Sequence, residues 1–178
     1  MTFLIIDTET TGLDLFTHEI IDIAAVQYEF SNNDLTLLLS REHKVKPKHI
    51  EKASEVALKI NGYTKRKWKK AINIEEFLPE LKQIIEKSDF LVGQNLIFDY
   101  RFINKAFDQA NMERPKYPMY FDTKWMADQL VHDKKLKRSS LDFLCEHYQI
   151  KFEGRAHTAL ADVLRTADLF KVLQKECE

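Results

Sequence analysis

Two carboxylates one residue apart, Asp7 and Glu9, follow the first apolar run of the chain. Successive side chains of a strand point to opposite faces, so both carboxylates would project from the same face. Carboxylates held that close either raise each other's pKa or bind a cation. The alternative is a solvated acidic strand end, because 28 acidic residues in 178 give roughly four acid-x-acid pairs by chance. The pair alone therefore does not identify a site.

Three later residues could complete a site of this kind: Asp99, His157 and Asp162. Asp99 follows Asn95 by one helical turn, which places both on one helix face near the positive N-terminal end. His157 and Asp162 are separated by about 1.4 helical turns, so Asp162 would reach the sheet from within a helix while His157 overhangs its start. Carboxylate oxygens are the ligands that Mg²⁺ and Mn²⁺ prefer. A histidine, with an ordinary pKa of about 6.5, suits a general base at neutral pH.

Each of these residues also has a structural interpretation. Taken singly, Asp99 and Asp162 are more often helix surface acids, and His157 is more often a helix-start residue. Asn95 is expected to be the N-cap of its helix and not a catalytic group, and Asp142 to be a first-turn acid. The remaining histidines are assigned to structure or surface: His18, His43, His49, His132 and His147.

Composition indicates an ordinary globular protein, with 44% hydrophobic and 31% charged residues. The length of 178 residues fits one domain, 1–178. A net charge of −1 gives no general attraction to nucleic acid, so a polyanionic partner would need a local basic patch or metal ions. Two cysteines without a CxxC motif argue against a disulfide scaffold or a zinc site. With no signal peptide and no membrane-spanning run, a cytoplasmic protein without a membrane partner is expected.

The elements that must position the acids follow from the hydrophobic periodicity. Strands are predicted at residues 3–6, 20–28, 35–45, 90–93 and 120–122, and helices at 50–60, 74–87, 95–110, 123–131, 141–148 and 157–175. The turn residues 31–34 make the second and third strands an antiparallel hairpin, with the first strand beside the second. Phe98 and Phe102 would pack their helix on the sheet while Asp99 points away. This order predicts an α/β fold with a mixed five-stranded sheet and helices on both faces.

Five segments, in this order, resemble the motifs of the DEDDh 3′–5′ exonucleases: residues 7–13 (DTETTGL), 93–99 (GQNLIFD), 122–123 (DT), 140–142 (SLD) and 157–162 (HTALAD). The resemblance covers nearly the whole chain, and separated motifs in the right order are far more specific than any one of them. The segment 60–63 (INGY) resembles the usual Ile-x-Gly-Ile. Two departures bear on substrate details and not on the expected metal ligands: Gln94, where histidine is frequent, and Asn61, where threonine is common. The resemblance implies a ribonuclease H-like three-layer fold.

The resemblance also implies an activity, the hydrolysis of the terminal phosphodiester of single-stranded nucleic acid with release of nucleoside 5′-monophosphates. Asp7 would bridge two divalent ions, Mg²⁺ or Mn²⁺, and Glu9, Asp99 and Asp162 would complete their ligands. His157 would be the general base for the attacking water. Two ions about 3.5–4 Å apart suit this chemistry, since one holds the attacking oxygen and the other the leaving oxygen.

Substrate contacts are expected around the acid pair. By resemblance, the segment after Glu9 contacts the terminal nucleotide, with Leu13 as a stacking or wedge residue. The expected substrate-binding residues are Thr10, Thr11, Gly12, Leu13, Asn61, Asn95 and Phe98. Two basic runs, 65–70 and 134–138, are either solvated surface or a track for phosphates, with Trp68 available for stacking. The second run is slightly favoured because it resembles the family loop before Ser140.

The partner is expected to be a single-stranded 3′ end, with DNA favoured over RNA. An RNA-trimming exoribonuclease of the same family is the alternative. A non-catalytic module that binds nucleic acid or a DNA polymerase is less favoured, because such a module should have lost an acid, and all four acids and His157 are present. A DNA polymerase remains a candidate partner. The short stretch after the last helix favours a free-standing nuclease.

Overall fold

The computed structural model describes residues 1–31, 34–152 and 157–176. Within them, five strands form one sheet in the order β3-β2-β1-β4-β5. The strands are β1 (Thr2–Thr10), β2 (Ile20–Ser31), β3 (Asp34–Lys44), β4 (Phe90–Gly93) and β5 (Met119–Asp122). β2 is antiparallel to both β1 and β3, whereas β4 is parallel to both β1 and β5. The predicted mixed five-stranded sheet is confirmed, and so is the position of the first strand beside the second.

Six α-helices surround the sheet in the described part of the chain. They are α1 (Glu55–Asn61), α2 (Ile74–Glu86), α3 (Leu96–Gln109), α4 (Thr123–His132), α5 (Leu141–His147) and α6 (Ala159–Glu176). No helix among the described residues is long and apolar enough to cross a membrane.

The central strand β1 is buried on both faces, because each face is covered by helices. Leu4 and Ile6 belong to a core shared with α2 and α3. Phe3 and Ile5, which point the other way, belong to a second core shared with α6. A third cluster joins α4, α5 and α6. The prediction of an α/β fold with helices on both faces is therefore confirmed.

The predicted helix at 50–60 is wrong as a single element. A 3₁₀ turn at Ile50–Lys52 is followed by an extended Ala53, and a new helix, α1, begins after Ser54. The Ser54 side chain accepts a hydrogen bond from the Ala57 N–H, at 3.4 Å. This N-cap interrupts the apolar period that suggested one helix. α1 ends as predicted at Gly62, which has a left-handed φ of 64°.

The other elements differ from their predicted bounds by a few residues, except β4, which has the predicted bounds. β2 and β3 form the expected hairpin, although Asn32 and Asn33 of its predicted turn lie outside the described residues. α6 begins at Ala159, so His157 precedes the helix. Phe98 and Phe102 pack together as expected, with ring centroids 4.8 Å apart. The expectation that Asp99 points away from the sheet is wrong, because Asp99 is only 3% exposed and contacts β1.

Candidate active site

Asp7 and Glu9 lie near the end of β1, on the strand face that packs against α6. Asp162, in the first turn of α6, is 7% exposed. Oxygens of Glu9 and Asp162 and a ring nitrogen of His157 lie within 4.8 Å of one another, close enough to share a metal ion. The structure thus brings together residues from the first strand and the last helix.

Asp99 reaches the same strand end from the opposite layer. Its Oδ1 accepts hydrogen bonds from the Thr8 backbone N–H, at 2.8 Å, and from the Thr8 hydroxyl, at 2.6 Å. Thr8 points to the α3 face of β1, between two carboxylates that point to the α6 face. It was not predicted as a site residue, because a polar residue between two acids carries no signal without knowledge of α3. The candidate site therefore straddles the central strand.

The electrostatics of this cluster disfavour four free negative charges. Burial raises the pKa of Asp7 well above its usual range, and the charges of Asp99, Asp162 and Glu9 raise it further. The pKa of Glu9 is raised to about 8, first by burial and then by Asp162. Burial also raises the pKa of Asp99 and of Asp162. Hydrogen bonds from Thr8 lower the pKa of Asp99, and the charge and hydrogen bond of Arg165 lower that of Asp162, but burial has the larger effect in both cases. Protonation or a bound cation would relieve this repulsion.

Asp22 is a buried acid beside these four carboxylates, and the sequence analysis missed it. It lies on β2 directly opposite Glu9 and is 2% exposed. Its Oδ2 accepts a hydrogen bond from the Lys44 ammonium and another from the Ala159 N–H, at 3.2 Å. Asp22 thereby ties the first residue of α6 to the sheet. Its position in the apolar run of residues 20–26 was the available signal, since a lone acid there must have buried partners.

Arg165 holds Asp162 in place and was also missed. Its side chain is 3% exposed and donates through Nη1 to Asp162 Oδ1, at 2.8 Å. Through Nη2 it pairs with Asp142, the predicted first-turn acid of α5. The other oxygen of Asp142 lies 3.9 Å from His157 Nε2. One arginine thus orients Asp162 and links it to the acid beside the histidine.

His157 stands at the rim of the cluster, as expected from its place before α6. It has a left-handed φ of 61°, and its side chain is 45% exposed. Left-handed geometry is uncommon for a residue with a side chain, and such outliers concentrate at functional sites. The imidazole is therefore held at the opening of the cluster with access to solvent.

The turn after β1 presents apolar side chains beside the acids. Thr10, Thr11 and Gly12 are buried, whereas Leu13 is 84% exposed. A Cβ atom on Gly12 would lie 2.5 Å from the His18 ring, so this position has no room for a side chain. Phe16, which the sequence analysis did not single out, is 93% exposed in the same turn.

Asn61, Asn95 and Phe98 differ in how they could meet a ligand. Asn61 is 7% exposed and donates its amide to the Thr10 carbonyl, at 2.9 Å, so it supports the turn from behind. Phe98 is half-buried, and Asn95 is exposed at the start of α3. Asn95 is the N-cap residue of α3, as predicted, although its side chain makes no capping hydrogen bond. The carboxylate of Asp122 accepts instead from the N–H groups of Asn95 and Leu96, both at 2.9 Å.

Trp68 cannot serve as the stacking residue expected in the run 65–70. It is 7% exposed, and its indole N–H donates to the Ile21 carbonyl at 2.7 Å. The cations around it are exposed. In the second run Leu136 is buried while its four cationic neighbours are exposed.

The raised carboxyl pKa values predict that the metal-free protein loses stability as the pH rises. A carboxyl group with a higher pKa in the folded state than in the unfolded state favours folding at low pH. Its contribution is complete when the pH is below the unfolded-state pKa, and it is lost as the pH rises through the folded-state pKa. For Glu9 these values are 4.5 and about 8. In EDTA, the melting temperature should fall by about 5 °C or more between about pH 5 and pH 9.

The measurement is a series of thermal melts in EDTA and in saturating Mg²⁺. Magnesium should flatten the pH dependence, and Glu9→Gln should make it shallower in EDTA. A melting temperature in EDTA that is constant or rises over this pH range would contradict the electrostatic description.

Comparisons with known proteins show the family to which the chain belongs. Residues 4–170 match the exonuclease family RNase_T. The PolC-type DNA polymerase III of Thermotoga maritima is 34% identical over 172 residues, which are 95% of this chain but 12% of that protein. The DNA polymerase III epsilon subunit of Aquifex aeolicus is 30% identical over 177 residues, 98% of this chain and 81% of the subunit.

A solved structure shows the same fold. The nuclease domain of 3′hExo, described as a DEDDh family member bound to rAMP, superposes with a TM-score of 0.78 at 17% identity, over 98% of this chain and 92% of that domain. The match to the family over residues 4–170 and the 30% identity with the DNA polymerase III epsilon subunit show that the chain belongs to the RNase_T exonuclease family.

Proposed function

We propose that the chain removes nucleotides from the 3′ end of single-stranded nucleic acid, with DNA as the favoured substrate, and releases nucleoside 5′-monophosphates. The observation that carries this proposal is the convergence of Asp7, Glu9, Asp99 and Asp162 at one strand end, with His157 at the rim. Four oxygen donors with unfavourably raised pKa values form a ligand set for hard divalent cations.

The four carboxylates would hold two divalent ions, Mg²⁺ or Mn²⁺. Such ions, when bound, lower the pKa of a coordinated water and offset charge on the phosphate and the leaving oxygen. The chain's own contribution is orientation. Thr8 holds Asp99, and Arg165 holds Asp162 through one oxygen, which leaves the second oxygen of each carboxylate for a ligand.

His157 would take the proton from the attacking water. Its side chain is exposed, so it can exchange that proton with solvent. Its backbone has a left-handed φ and precedes α6, whereas the acids lie within strands and helices. Asp142 places a carboxylate oxygen 3.9 Å from Nε2, and an acceptor beside the ring would help to orient the imidazole.

The terminal nucleotide would lie between the turn after β1 and the start of α3. Leu13 and Phe16 offer exposed apolar surface to a base, while Asn95 and Phe98 stand on the α3 side. Stacking on an apolar or aromatic side chain tolerates any base, since each base has a flat π-face. Buried Asn61 contributes indirectly, by holding the Thr10 carbonyl.

The two relatives named above favour DNA, because both belong to DNA polymerase III. The ribonuclease T of Shewanella denitrificans, 27% identical over 180 residues (94% of this chain and 77% of that protein), favours RNA. The rAMP bound to the 3′hExo domain keeps an RNA-trimming exoribonuclease as the second candidate. A non-catalytic module is disfavoured, because every acid expected of an active member is present and located at the site. Association with a DNA polymerase is a further proposal that rests on the same two relatives.

The decisive assay uses single strands of DNA and RNA labelled at either end, with Mg²⁺, Mn²⁺ or EDTA. A 5′-labelled strand should shorten one nucleotide at a time, and a 3′-labelled strand should release its label at once as a mononucleotide. Faster cleavage of DNA supports the favoured substrate, and faster cleavage of RNA supports the alternative. Internal fragments, or undiminished cleavage in EDTA, would overturn the proposal.

A further inference from the structure

Five exposed cations occupy six consecutive positions between α1 and α2: Lys65, Arg66, Lys67, Lys69 and Lys70. We call them the basic turn. In the described residues none of them forms an ion pair with an acid, whereas surface lysines such as Lys48 and Lys82 pair with Glu75 and Glu113. We propose that the basic turn binds the phosphate backbone of the strand whose 3′ end occupies the active site.

The sixth residue of this stretch, Trp68, makes the basic turn rigid. Its indole N–H donates to the Ile21 carbonyl at 2.7 Å, and its ring packs against Tyr63 with centroids 4.8 Å apart. The Lys44 ammonium lies 5.3 Å from the centre of the same ring. The tryptophan is thus an anchor beneath the cations, so they are presented on a fixed support.

The anchor points lie beside the acid cluster. Ile21, which accepts from Trp68, is next to Asp22, and Asp22 pairs with Glu9 across β1 and β2. At the other end of the stretch, Asn61 donates to the Thr10 carbonyl. Lys65 follows Asn61 by four residues, so its backbone is at most about 14 Å further on. The basic turn is therefore anchored beside Asp22 and follows closely on the residue that supports the turn proposed to hold the terminal nucleotide.

The negative charge of the acid cluster explains why cations at this position would help to bind a strand. The acid cluster repels a polyanion, and the net charge of −1 offers no general attraction. A cationic surface beside the cluster would offset that repulsion for the phosphates behind the terminal nucleotide. The surface would act on strands long enough to reach it and would be indifferent to base sequence.

This inference rests on the proposed function, and the salt dependence of binding tests it separately. The test variant is Lys65→Ala/Arg66→Ala/Lys69→Ala. The matched control is Lys87→Ala/Lys116→Ala/Lys175→Ala, which removes the same charge from exposed residues that precede β4 and β5 or end α6, at the far end of the sheet. A second comparison is Lys134→Ala/Lys135→Ala/Lys137→Ala.

Binding of a fluorescent single strand of about 20 nucleotides is measured in EDTA, which prevents cleavage, from about 50 to 200 mM salt. Each lost phosphate contact should reduce the slope of log K against log salt by about 0.7, so the test variant should lose about 2. Its affinity at the lowest salt should fall at least about tenfold, with the control unchanged.

Equal slopes for the test variant and the far-end control would overturn the inference. A loss confined to the 134–138 variant, or binding of anionic vesicles without binding of the strand, would do the same. Cleavage of a dinucleotide by the unaltered protein tests the proposed function separately, because a dinucleotide has too few phosphates to reach the basic turn. A protein that binds strands as expected but cleaves nothing would fail only the proposed function.

Discussion

Asp7→Asn is expected to lower kcat by about 10³-fold or more and to leave the protein folded. Asp7 is one of the four carboxylates proposed to hold the metal ions, and its replacement would remove a ligand from the site. The same change relieves repulsion by Glu9, Asp99 and Asp162, which all raise the pKa of Asp7. The metal-free variant should therefore melt at least about 2 °C higher than the unaltered protein at pH 8.

The kcat should fall while the melting temperature rises. A variant that lost activity because it unfolds would show a lower melting temperature instead. Cleavage rates and thermal melts in EDTA measure the two quantities on the same preparation. Asp168→Asn, an exposed acid on α6 six residues after Asp162, is the matched control and should change neither. Retained turnover in the Asp7 variant would mean that the chemistry takes place elsewhere.

His157→Ala is expected to lower kcat by about 10²- to 10⁴-fold while Mn²⁺ binding changes by less than about threefold. A general base contributes only when the proton is transferred, so its loss should leave the metal ligands in place. Its ring nitrogen lies within 4.8 Å of ligand atoms of Glu9 and Asp162, so a ligand role must be tested directly.

Calorimetric titration with Mn²⁺, beside cleavage rates at saturating metal, gives the two quantities. His132→Ala at the end of α4, with an 80% exposed side chain, is the control and should affect neither. Equal losses of metal binding and turnover in the His157 variant would make the histidine a metal ligand instead of a base.

The fold could be predicted where local signals and tertiary packing agree. β4 has its predicted bounds of residues 90–93, because a short apolar run before glycine fits a strand covered on both faces. The helix at 50–60 was wrong because Ser54 caps a new helix inside the apolar period. Asn95 is the N-cap residue of α3 as predicted, but its φ is left-handed at 64° and its side chain makes no capping hydrogen bond. The carboxylate of Asp122, from the next strand, accepts from the Asn95 N–H instead.

For the candidate site, the acids could be found from the order of the motifs, whereas their supports could not. Asp22, Arg165 and Thr8 act through partners that are distant in sequence or require the helix faces to be known. The same holds for Trp68. A tryptophan among cations suggests a residue that stacks on a base, but its indole N–H donates to the Ile21 carbonyl and the ring is buried. The sequence shows which side chains could bind a ligand, but only the packing shows which of them already have partners within the protein.

The straddled architecture of the site has a consequence for synthesis of the chain. Asp7 and Glu9 are made first and Asp99 midway, while His157 and Asp162 come with the last helix. On the proposed chemistry, a nascent chain that has not yet reached residue 157 carries two strand acids and Asp99 but neither the base nor the final ligand. The proposed site is therefore incomplete until α6 packs onto the sheet.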